Sequence, residues 1–277
     1  MKFITVATKN EGYFPYLIES AKVNNCDLVV LGFGEKWQGF TWKFKLMIDY
    51  IKNLDPNEII CFIDAYDVIF LQPSYIIEER FKEITLNNNG IVISEDINVN
   101  LISSILWTKC KNTYINSGTY MGYVNKILPL LENICKIYNC DNKNSDDQLF
   151  IQNYCNNNPK LFNIDTNKFI FLVSIINKNL DVNNISFYNN ELYYNKEVKP
   201  CILHAVFNSD IENILYNLGY NYIPINKNNN YFLSRVFYTI KTRKIFTIII
   251  FIFILIIIII IIYLILKKSS KKLNKRK

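Results

Sequence analysis

The chain has 277 residues, half of them apolar, and carries 31 Lys and Arg against 24 Asp and Glu, a formal net charge of +7. That length allows one or two domains. The seven basic side chains after Leu266 account for the whole excess, and no run interleaves basic and aromatic residues, so the charge argues against a nucleic-acid surface.

Residues 2–7 are an apolar, β-branched run that predicts a first strand. The run ends at Lys9 with no small-residue cleavage site, unlike a secretory leader. Helical spacing follows over 13–24, with Pro15 in the first turn, where its missing N–H costs little. A short strand over 27–31, a helix over 42–52, a buried strand over 58–63, a capped amphipathic helix over 74–83 and a strand over 90–94 complete the alternation. Repeated βα units predict a Rossmann-like α/β domain with a mostly parallel sheet. Ligands of such sheets bind beyond the carboxyl ends of the strands, here Thr8 and Lys9, Gly32 and Gly34, Asp64 and Asp67, and Glu95.

A loop-rich stretch then leads to a helix over 125–138, a helix opening at Ser145, and an Asn-rich, irregular region to about 199. A last short strand over 201–203 delivers His204. Residues 225–244 read as a linker. Residues 245–266 are 22 uncharged, mostly Ile and Phe residues, long enough for a membrane-spanning helix. The basic tail over 267–277 suits anionic lipid headgroups. A C-terminal anchor without a leader favours a cytosolic catalytic domain, whereas the positive-inside rule favours a cytosolic tail; the first arrangement is the expectation. The seven cysteines are odd in number and lack a CxxC spacing, which predicts core thiols rather than a zinc cluster or a disulfide framework.

The strongest local signal is the buried run that ends in Asp64-Ala65-Tyr66-Asp67. Two carboxylates delivered together into a turn repel unless a cation compensates them. Oxygen ligands suit Mn²⁺ or Mg²⁺. The alternative is an exposed turn whose Asp residues make Asx hydrogen bonds. His204, the single histidine, follows a strand directly and can join the same edge, although a lone histidine is more often structural. Ser145-Asp146-Asp147-Gln148 matches a capping box with Ser145 at the N-cap, or else supplies an acid to the site. Gly32, Gly34 and Gly39 lack the GxGxxG spacing, and neither a P-loop nor a nucleophile elbow occurs.

Thr5-Val6-Ala7-Thr8-Lys9, Leu31 to Trp37, Asp64 to Val68, Asn116-Ser117-Gly118, Asp146 to Phe150 and Leu218 to Pro224 occur in that order. Together they resemble the glycosyltransferase domain of the procollagen lysyl hydroxylases (PLOD-like) and of viral relatives, over roughly residues 2–224. The resemblance implies a GT-A fold over 1–224, a UDP-sugar donor and Mn²⁺. It implies Asp64, Asp67 and His204 as metal ligands and Tyr66 as the ring that stacks on uracil. Val6 and Thr8 would meet the nucleotide, and Lys43 would lie near the donor behind a shortened glycine-rich lead-in. Asp146 and Asp147 would flank the transferred sugar as the catalytic pair. Glu95 and Asn116 join the expected donor-binding set. The family's Gly-Asn-Gly and nearby Lys after its histidine are missing here, and a small loop shift would let Asn208 replace that Asn.

The expected activity is transfer of a hexose from a UDP-sugar to an acceptor hydroxyl on a protein, such as hydroxylysine, or on a glycan. The rivals are a metal-dependent nucleotide-sugar hydrolase and an inactive, membrane-tethered binding module.

Overall fold

The computed structural model describes residues 1–86, 90–96, 108–143, 145–176, 180, 184–206 and 209–221, together with residues 252–253, 255–260 and 262–263. The chain divides into two units, Met1–Lys227 and Asn228–Lys277.

The first unit begins β1 (Lys2–Val6), α1 (Phe14–Val23), β2 (Leu28–Leu31), α2 (Trp42–Ile51), β3 (Ile59–Ile63). It continues β4 (Val68–Phe70), α3 (Ser74–Thr85), β5 (Ile91–Glu95), β6 (Ile115–Tyr123), α4 (Val124–Tyr138), α5 (Asp147–Asn157). It ends β7 (Phe162–Asp165), β8 (Phe171–Ser174), β9 (Ile185–Tyr188), β10 (Glu191–Tyr194), β11 (Ile202–Ala205), α6 (Glu212–Asn217). A six-stranded sheet runs β2-β1-β3-β6-β5-β7, beside a β4-β11-β8 sheet and a β9-β10 hairpin.

The large sheet is apolar on both faces because helices cover both. Alternate residues of β3 serve different cores: Ile60 and Phe62 pack with α2 and α4, while Ile59, Cys61 and Ile63 pack with α1 and α3. The expected parallel order holds for β1 with β2 and β3, and for β5 with β7. Its exception is β6, which lies antiparallel between β3 and β5 in a stretch expected to be loop. Because β6 runs backwards, its first residues meet the last residues of β3 and β5 at one edge, Ile63 opposite Thr119 and Glu95 opposite Ile115. The Asn-rich stretch is likewise more regular than expected and forms β7 to β10.

The cysteines correct the sequence expectation. Cys110 is bonded to Cys155 and Cys135 to Cys140, leaving Cys26, Cys61 and Cys201 as buried thiols. An odd total hid two pairs, one of which closes only when α5 packs on β6.

In the second unit the described residues within 252–263 are helical and their side chains exposed. Most of the expected span over 245–266 and all of the tail over 267–277 lie outside the described residues. Among the described residues, no helix is long and apolar enough to cross a membrane.

Candidate active site and metal centre

Three elements converge at the carboxyl edge of the large sheet. Asp64 follows β3 directly, and its N–H donates to Gly118 O at 2.8 Å. Asp67 closes the same turn just before β4, and its carbonyl accepts from Ala205 N at 2.8 Å. That bond locks the turn to β11, where His204 pairs with Val68. Nε2 of His204 is then 3.3 Å from Asp67 Oδ1 and 3.8 Å from Asp64 Oδ2. One ligand atom from each of Asp64, Asp67 and His204 lies within 4.8 Å of the others.

This group fits a divalent cation on structural grounds. Gly118 forms one wall of the cradle: a β-carbon there would lie 2.3 Å from His204 Cε1 and 2.5 Å from Asp64 Oδ2. The imidazole is 3% exposed, and its Nδ1 has no hydrogen-bond partner among the described residues. Asp96 and Asp147 add two further buried carboxylates around the edge. Lys43 is the basic side chain that pairs with the group, so negative charge dominates. Burial opposes the charged form of His204, yet Asp67, Asp64 and Asp96 together raise its pKa above 6.5.

Lys43 reaches the edge from the first turn of α2. Its Nζ lies 2.9 Å from Asp64 Oδ1 and 2.8 Å from Asp147 Oδ2, and the rings of Phe62 and Phe40 flank it. Burial works against its charge, but the two carboxylates outweigh it and hold the ammonium well above its ordinary pKa.

The two expected catalytic acids divide their work. Asp146, not Ser145, is the N-cap of α5 and accepts from Leu149 N at 3.1 Å. Asp147 is buried at the head of that helix, with its carboxylate on Lys43. The capping reading was therefore right in kind and displaced by one residue. Gln148 does not complete a capping box; its Nε2 donates to Asp96 Oδ2 at 2.8 Å.

The other expected donor-binding residues are less uniform. The Tyr66 hydroxyl accepts from Thr8 N at 2.9 Å, which ties the end of β1 to the metal turn. Val6 is buried in the core. Asn116 is buried beside the cradle, its Oδ1 accepting from Gly118 N at 2.8 Å. Glu95 is committed elsewhere: Lys168 Nζ is 2.6 Å from Oε2, and Thr113 Oγ1 donates to Oε1 at 2.6 Å. Its neighbour Asp96, which sequence reasoning passed over, joins Asp67 and Asp64 in raising the pKa of His204. β5 is irregular between Ile93 and Glu95. Asn208 lies outside the described residues.

Comparison with known proteins adds a family. The multifunctional procollagen lysine hydroxylase and glycosyltransferase of Caenorhabditis elegans is 32% identical over 160 residues, covering 53% of this chain and 21% of that protein. Human procollagen-lysine,2-oxoglutarate 5-dioxygenase 2 is 30% identical over 168 residues, with the same two shares, 53% and 21%. The match thus spans about one fifth of these relatives' length. A solved galactosyltransferase, LgtC with donor and acceptor sugar analogs, has a TM-score of 0.48 at 11% identity, covering 81% of this chain and 98% of that one. The profile of the PLOD GT domain matches residues 1–231, far more than half of the sequence, and the chain therefore belongs to the PLOD glycosyltransferase domain family.

Proposed function

We propose that this glycosyltransferase domain has a GT-A fold and moves a hexose from a UDP-sugar to an acceptor hydroxyl on a protein or glycan. The observation that carries the reading is the convergence of Asp64, Asp67 and His204 at the strand edge of a chain in this family. These residues would hold Mn²⁺, which supplies Lewis-acid stabilisation of the leaving diphosphate.

The protein's own part is positioning and electrostatics. The Tyr66 hydroxyl is anchored on Thr8 N, which fixes its ring between β1 and the metal turn as a platform for uracil. Asp146 is half-buried at the start of α5, which it caps, and would be the acid of the pair that meets a sugar hydroxyl or the acceptor proton. Asp147 holds Lys43 in place instead.

Anchoring by residues 245–266 remains part of the proposal, on the strength of apolar length. The two disulfides favour an oxidising environment for the catalytic domain, which with the positive-inside rule would put the Lys-rich tail on the cytosolic side. That is the reverse of the topology expected from the sequence.

The decisive experiment is a UDP-sugar screen with Mn²⁺ and mixed acceptors, followed by linkage analysis. UDP released only with an acceptor supports transfer. Release without acceptor supports a hydrolase, and binding without release supports an inactive module.

A further inference from the structure

Lys43 is one ammonium shared by two carboxylates from different elements, and only one of these is in the cation-binding group. Oδ1 of Asp64 faces Lys43 Nζ at 2.9 Å, while Oδ2 of the same carboxylate faces His204 Nε2 at 3.8 Å. A cation held by Asp64, Asp67 and His204 therefore sits across a single carboxylate from a fixed positive charge. Lys43 cannot swing away cheaply. Its side chain is 6% exposed, Phe62 and Phe40 flank it, and its remaining partner is Asp147, 8% exposed.

Asp147 is in turn held from several sides. It opens α5, and its Oδ1 accepts from Gln148 N at 2.9 Å. The loop before Lys43 is pinned to the segment before Asp147: Thr41 Oγ1 donates to Cys140 O at 3.0 Å, and Gly39 leaves no room for a β-carbon beside Lys143 O. The pair is thus a fixed dipole aimed at Asp64.

We propose that Lys43 and Asp147 are positioning residues that set the affinity of the cation site with opposite signs. Lys43 compensates Asp64 when no cation is bound and repels the cation when one arrives. Asp147 offsets Lys43 and so strengthens cation binding without being a ligand.

This inference rests on reading Asp64, Asp67 and His204 as the cation site. The test is direct binding of Mn²⁺ to the full chain without nucleotide, by calorimetry and by the loss of the free-ion paramagnetic resonance signal. Lys43→Met is expected to tighten binding about tenfold or more, since two positive charges within a few ångströms interact strongly at the dielectric of a protein edge. Asp147→Asn is expected to weaken it by a similar factor. Lys43→Arg, which keeps the charge, should stay within about twofold of wild type. The double variant Lys43→Met/Asp147→Asn should return towards wild type, and it carries the test should Lys43→Met alone fail to fold. Weaker or unchanged binding in Lys43→Met, or tighter binding in Asp147→Asn, overturns the inference while leaving the site intact. Wild-type protein that binds no Mn²⁺ overturns both.

Discussion

Gly118 and His204 approach so closely that a β-carbon on Gly118 would stand 2.3 Å from the imidazole Cε1. The backbone of β6 is thus one wall of the candidate metal centre, and hydrogen is the only side chain it tolerates. Gly118→Ala must push either His204 or Asp64 off its position. The expected cost is about 1–3 kcal/mol of stability, as for other overpacked sites. Mn²⁺ affinity should fall with it. Thermal melts and metal titration check the two effects separately; a variant that binds Mn²⁺ like wild type would show that the wall is not part of the site.

His204 makes the site pH-dependent with a sign that changes on loading. In the metal-free protein its pKa is raised above 6.5, so the folded state holds the proton more tightly than the unfolded chain. That stabilisation is complete below about pH 6.5 and is lost as pH rises through the raised value. Cation affinity runs the other way, because a protonated imidazole cannot ligate, and it climbs over the same interval. Melts of chelator-treated wild type and His204→Gln should converge as pH increases. Mn²⁺ titrations of wild type should tighten over the same range.

Parts of this site were legible in the sequence because local chemistry changes abruptly there. The apolar run of β3 stops at Asp64, and the apolar run Cys201 to Leu203 stops at His204, so both side chains could be assigned to a strand edge. Strand β6 was not legible. Gly118 and Gly122 suggest loop rather than strand, yet both face crowded surroundings, the His204 cradle and Ile127 of α4, whose Cδ1 would lie 3.2 Å from a β-carbon on Gly122. The β9–β10 hairpin was hidden for a different reason. Asn189 and Asn190 adopt positive φ in its turn and Asn184 and Asn195 do so at its two ends, so a composition that suggests irregular chain marks tight connections instead. The Lys43–Asp147 pair and the Cys110–Cys155 bond join residues far apart in the chain, and no local pattern announces either.

The disulfides predict a redox-dependent stability. Cys110–Cys155 closes a 45-residue separation and Cys135–Cys140 one of 5. Chain-entropy arguments assign about 4 and about 2 kcal/mol to loops of these sizes. Cys140 precedes and Cys155 follows the segment carrying Asp146 and Asp147, so reduction should loosen the acids and their hold on Lys43. Cys110→Ser with Cys155→Ser is expected to lower stability by about 2–4 kcal/mol and to reduce turnover. Maleimide labelling of denatured protein from cells should modify three of the seven cysteines. Labelling of all seven would place the catalytic domain in a reducing compartment.

Glu95 and Asp96 are adjacent, and their carboxylates should answer substitution in opposite ways. Glu95 serves the fold: it pairs with Lys168, whose side chain is 3% exposed, and removing it strands a buried ammonium. Glu95→Gln should therefore cost about 3–5 kcal/mol of stability. What survives folded should keep its metal affinity. Asp96 serves the site: it accepts from Gln148 and contributes to the raised pKa of His204. Asp96→Asn should lower that pKa and weaken metal binding, because one negative charge near the cation is lost, with a smaller change in melting temperature. Titration of the His204 ring by NMR, which has no other histidine to confuse it, reads the first effect directly. An unchanged His204 titration in Asp96→Asn would remove Asp96 from the site and leave Asp64 and Asp67 as the carboxylates that govern it.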